Sequence, residues 1–131
     1  TQTEINIYKK IGNYVGLIFQ LRDDCLDFEN SSDTAKKSVQ SDYEQGVITL
    51  PLIHAFVRLP AFKKKAADKN ITREELNRAV EEARGLDYTN QIIRKYYRKA
   101  EQNISRLNVS GEKRARLTAI LKRASGMKAE L

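Results

Sequence analysis

Three carboxylates fall within five residues at Asp23, Asp24 and Asp27, in a stretch that contains no proline before Pro51. On an α-helix at about 100° per residue, with Asp23 at zero, Asp27 lies near 40°, Gln20 near 60° and Asp24 near 100°. These four polar side chains share one arc. Tyr14, Cys25, Ile18, Ile11, Val15, Leu26 and Phe19 occupy the other side, roughly 180° to 320°, as a core-facing stripe would. Gly12 and Gly16 fall beside the aspartates. Each weakens a helix by roughly 1 kcal/mol relative to Ala, which points to close helix packing or to open space for a ligand. Both place the aspartate arc indoors, where three mutually repelling carboxylates are costly without cations. A hard divalent ion resolves the conflict. Mg²⁺ takes carboxylate and water oxygens and shares its shell with substrate phosphates, so the pattern reads as a metal and diphosphate site. The bland alternative is a solvated acidic face.

Other chemistry is sparser. Arg22 lies near 260°, inside the apolar stripe, and reads as structural. Lys36, Lys37 and Asp42 sit on a loop short enough to fold back over the aspartates, where a lysine could neutralise a phosphate oxygen. Taken alone they are ordinary loop charges. His54 is the chain's single histidine and Cys25 its single cysteine, which excludes a Cys-based zinc site and a disulfide framework and gives His54 a core or supporting role. No nucleophile and base pair can be named.

The elements that must position these residues are helices. Apolar residues recur at three- and four-residue intervals, alternating strands are missing, and 131 residues with 40% hydrophobic content suit one all-α unit spanning residues 1–131. A first helix starts at Thr1 to Glu4, with capping-box spacing, and runs past Phe28 to a break at Asn30 to Asp33. A loop or short turn covers Asp33 to Val47. Thr49 with Pro51 opens a helix ending near Pro60. Thr72 and Glu75 form a second capping box before a helix that Gly85 stops as a left-handed residue. A longer helix from about Asp87 to Asn108 carries Ile93, Tyr97, Ala100, Ile104 and Leu107 on one stripe, and Ser110 or Gly111 opens the last.

Charge is uneven. Residues 1–60 hold six Lys/Arg against eight Asp/Glu, and residues 61–131 hold eighteen against nine, for a net +7. Alternation of these basic residues with Glu along helices reads as a solvated face rather than a nucleic-acid surface. With no stretch near the roughly 18 apolar residues of a membrane span and a polar start, a soluble, cytoplasmic protein is expected.

The run Gly12-x-x-x-Gly16-x-x-Phe19-Gln20-Leu21-Arg22-Asp23-Asp24-x-Leu26-Asp27, followed by Lys37, Asp42, Gly46 and Thr49-Leu50-Pro51, resembles the trans-type polyprenyl diphosphate synthases. These enzymes carry two aspartate-rich motifs on facing helices, and this run is similar to the second. The resemblance covers Gly12 to about Ile53 and implies the carboxy-terminal half of the isoprenoid synthase helical bundle. It further implies that Asp23, Asp24 and Asp27 bind Mg²⁺, with Asp42 acting through water. Lys37 contacts the allylic diphosphate, and Phe19, Gln20 and Gly16 line the substrate pocket, Gln20 near the reaction centre. The implied substrates are an allylic diphosphate and isopentenyl diphosphate. A homodimer is implied for the complete enzyme, with peripheral membrane contact where products are long and no nucleic acid.

Two positions depart from the family pattern: Lys36 replaces a usual Gly, and Val47 stands where a Lys often helps hold diphosphate. Nothing matches the first aspartate-rich motif, so the chain reads as a carboxy-terminal portion, inactive alone. Rival readings are a terpene synthase, whose second metal motif is instead rich in Asn, Ser and Glu; a non-catalytic helical subunit; and a basic module that binds RNA or a partner protein.

Overall fold

The structure, a computed structural model, describes residues 1–29, 49–68 and 71–126, with the side chains of Asp27 and Glu29 outside the description. Every element among these residues is a helix: α1 (Gln2–Glu29), α2 (Leu50–Arg58), α3 (Pro60–Ala67), α4 (Arg73–Glu82), α5 (Gly85–Ser105) and α6 (Gly111–Ala124). Two compact units are distinguished, one from Thr1–Arg22 with Ile92–Leu131 and one from Asp23–Gln91.

Helix α1 begins as its sequence dictates, with the Glu4 amide donating to Thr1 Oγ1 at 3.2 Å, and runs 28 residues without interruption. Its buried stripe is Ile7, Ile11, Ile18, Leu21 and Cys25. That stripe is narrower than expected. Phe19 and Leu26, assigned to it from the helical wheel, are 63% and 37% exposed, because they stand at its edge next to the aspartate arc.

In the first unit, Tyr14 of α1 stacks on Tyr96 of α5 at 5.8 Å between centroids, and Lys113 of α6 lies over the Tyr8 ring. Near the other end of α1, Arg22 lies against Gly126, so α6 runs parallel to α1. Gly126 has φ of +80°, and a Cβ there would meet Arg22 Nε at 2.5 Å. The positive φ favours glycine, whereas the Arg22 side chain could shift to admit a Cβ. The α5 stripe is as expected, with Ile93, Tyr97, Ala100, Ile104 and Leu107 all buried. Ser110 caps α6 by accepting from the Lys113 amide, and Arg114 Nη2 donates to the Leu107 carbonyl at 2.6 Å.

The second unit is built on Leu52, Ala55, Leu76, Ala79, Val80 and Ala83, with Phe28, Phe56, Leu59 and Phe62 packed against them. Pro51 sits in the first turn of α2, where its missing N–H costs nothing. This helix ends at Arg58, next to Pro60 as expected, and Pro60 itself starts a further helix, α3. Leu59, at φ −127° and ψ 80°, breaks the chain between the two helices, and proline then supplies a preset φ for the next first turn. Thr72 and Glu75 form the reciprocal capping box that their spacing predicts.

Gly85 corrects another expectation. The left-handed residue is Arg84, at φ +57°, whose guanidinium pairs with Asp87 at 2.7 Å, and Gly85 is the first residue of α5. Glycine is required there by packing: a Cβ would stand 2.6 Å from the Pro51 carbonyl oxygen. One turn further along each helix, His54 and Tyr88 stack at 4.1 Å with rings 7° apart.

Candidate metal and diphosphate site

The proposed site is carried by α1. Its carboxy-terminal turns are anchored through Phe28, which packs on the core of the second unit, and through Cys25, which is fully buried. With those two side chains turned inward, helical geometry sends Asp23 outward and Asp24 to the flank. Asp23 is exposed and Asp24 half-buried, and Gln20, one turn earlier, is exposed. Both Gln20 and Asp24 are engaged in at least one further interaction.

Gly16 and Gly12 continue this face towards the helix start. A Cβ built on either would meet no atom within 4 Å. Among the described residues, then, no helix packs closely on these glycines. The arc was expected to lie indoors; among its described side chains Gln20 and Asp23 are exposed and Asp24 is half-buried. The buried stripe occupies the opposite side of α1. Phe19 borders the open face as a largely bare aromatic ring.

Several candidate residues lie outside this geometry. The Asp27 side chain, Lys36, Lys37, Asp42, Gly46 and Val47 are outside the described residues. Among the described residues, no group of three His, Cys, Asp or Glu could hold a metal ion. Asp23 and Asp24 thus supply the right donor type for a hard cation, but not a complete shell. Such a face suits an ion that takes its remaining ligands from phosphate, water and further carboxylates. Gly12 was placed beside the aspartates but not among the pocket residues, and its surroundings are as open as those of Gly16. Their spacing of four, one helical turn, was the signal that joins them.

Residues 1–86 match the polyprenyl synthetase family. The chain belongs to that family. It is 34% identical over 116 residues to heptaprenyl diphosphate synthase component 2 of Bacillus subtilis, covering 85% of this chain and 33% of that protein. It is 30% identical to octaprenyl diphosphate synthase of Haemophilus influenzae, covering 88% of this chain and 37% of the relative. The crystal structure of heptaprenyl diphosphate synthase from Staphylococcus aureus superposes with a TM-score of 0.74 at 29% identity, over 95% of this chain and 41% of that one. The all-α isoprenoid synthase fold of this polyprenyl synthetase chain follows from that likeness. The chain spans about a third of the length of the curated relatives it matches. Among its described residues no helix is long and apolar enough to cross a membrane.

Proposed function

We propose that this chain is the carboxy-terminal portion of a trans-type polyprenyl diphosphate synthase and supplies one of its two metal-binding faces. The observation that carries the reading is the α1 face itself. Asp23 and Asp24 stand beside a glycine floor that none of the described residues fills, on a run that matches the family throughout.

In this reading Asp23, Asp24 and Asp27 hold Mg²⁺, with Asp42 acting through water. Bound Mg²⁺ offsets the negative charge that builds on departing diphosphate. Lys37 holds the diphosphate of the allylic substrate, and Phe19 and Gly16 wall the pocket in which Gln20 lies near the reacting carbons. The allylic carbon–oxygen bond breaks with its electron pair leaving on diphosphate. The double bond of isopentenyl diphosphate then forms the new carbon–carbon bond, and a proton is lost. Stabilisation of the leaving group is the main catalytic device. The complete protein works as a homodimer.

One metal-binding face cannot hold both substrates in reacting geometry, so the 131-residue chain has no activity by itself. The test is product formation from labelled isopentenyl diphosphate and an allylic diphosphate with Mg²⁺. The complete protein is expected to turn over and the 131-residue chain is not. Turnover by the short chain, or none by the complete protein, overturns the reading. A second reading, a helical subunit that completes a partner chain, draws on the Bacillus subtilis relative being named a component. Gel filtration with candidate partners separates the two, since only the subunit elutes as a mixed complex.

A further inference from the structure

Between Lys10 and Lys36 the sequence holds one cation, Arg22, and it immediately precedes the aspartates. Neighbours in sequence do not face each other on a helix, and an angle of about 260° sends the Arg22 side chain to the side of Ile18 and Cys25, which are fully buried. A cation on that side needs acceptors there. The end of α6 provides them. Arg22 crosses Gly126, the residue after the helix cap Ser125, so closely that a Cβ on Gly126 would meet its Nε, Cδ and Cζ at 2.5, 3.2 and 3.3 Å. The last carbonyls of a helix have no partner within it and form the negative end of its dipole, which favours a guanidinium at this place. Lys122 and Arg123 complement the same pole from within α6. Arg22 is half-buried and engaged in at least one further interaction, so its side chain is held rather than solvated.

We propose that Arg22 is a positioning residue: seated on the end of α6, it fixes the rotation of the α1 turn that presents Asp23 and Asp24 to metal. Cys25 and Phe28 anchor α1 after Asp24, and Arg22 anchors it directly before Asp23. Carboxylates fixed from both directions along the helix meet an ion in one orientation. Misplacement of a working group by about 1 Å can cost about 100-fold, so an anchor that touches no metal still sets how well metal is held. Through Arg22, α6 takes part in metal binding without contributing a ligand. The inference rests on the reading of Asp23 as a ligand and adds to it a residue on the other side of the helix.

The test is calorimetric titration of Mg²⁺ with a non-reactive allylic diphosphate analogue into the complete protein and into its Arg22→Ala, Arg22→Lys, Gly126→Ala and doubly substituted Arg22→Ala, Gly126→Ala variants. Arg22→Ala is expected to weaken Mg²⁺-dependent binding about tenfold. Arg22→Lys keeps a cation at the pole of α6 and is expected to stay within about threefold of the parent. Gly126→Ala pushes Nε aside and is expected to cost about fivefold in the parent but nothing further in Arg22→Ala, where the obstacle is gone. The positive φ of Gly126 burdens that substitution equally in both backgrounds and cancels from the comparison. Circular dichroism confirms that each variant is folded. A purely structural Arg22 would lower the thermal stability of Arg22→Ala and leave its Mg²⁺ dependence at the parent value. That result, an equal loss in Arg22→Lys, or additive losses in the double variant overturns the inference and leaves the proposed function standing. A parent without Mg²⁺-dependent binding overturns the proposed function and this inference with it.

Discussion

A methyl group on Gly85 would stand 2.6 Å from the carbonyl oxygen of Pro51, so the first turns of α5 and α2 meet with no room for a side chain. The obstacle is backbone, which cannot swing aside as a flexible side chain can. Gly85→Ala is expected to destabilise the chain by about 1–3 kcal/mol through overpacking, measured by urea denaturation. Unchanged stability would show that the two helices separate freely.

Gly12 and Gly16 provide the opposite case. Among the described residues nothing lies within 4 Å of a Cβ at either position, so Gly16→Ala is expected to stabilise the 131-residue chain by about 0.5–1 kcal/mol through helix propensity. In the complete protein the same methyl would intrude on the face assigned to substrate, and turnover is expected to fall. A variant that gains stability and keeps full turnover would remove Gly16 from the pocket.

The capping box at the start of α4 has a pH signature. The Lys65 ammonium hydrogen-bonded to Glu75, aided by the Thr72 amide, lowers the Glu75 pKa below its ordinary value of 4.5. A carboxylate with a depressed folded pKa contributes stability that is fully present above its unfolded pKa and is lost as pH falls through the folded one. Glu75→Gln is therefore expected to flatten the pH dependence of thermal unfolding below about pH 4.5 and to leave its shape unchanged at neutral pH. Thr72→Ala, which removes the acceptor for the Glu75 amide, is expected to cost about 1 kcal/mol by the same measurement.

Much of the fold was legible in local chemistry. Thr1, Thr72 and Ser110 cap helices where their spacing predicts, and the α5 stripe from Ile93 to Leu107 is buried as read. Other residues had two local meanings. Pro60 follows one helix, as read, and also starts another, which the break at Leu59 allows. Gly85 suits a left-handed stop, yet contact with Pro51 claims it for the helix while Arg84 takes the positive φ. The aspartate arc was legible as a shared face. The loop read between Asp33 and Val47 lies outside the described residues.

The role of Asp23 as a ligand is tested most directly by calorimetric titration of Mg²⁺ with a non-reactive allylic diphosphate analogue into the complete protein and its Asp23→Asn variant. Asp23 is exposed on α1, so the substitution should leave the fold intact. The account predicts Mg²⁺-dependent binding of the analogue by the parent and a loss of affinity of about 10- to 100-fold in the variant, with kcat falling roughly 100- to 1,000-fold. Equal Mg²⁺-dependent affinity and equal turnover in the two proteins would contradict it.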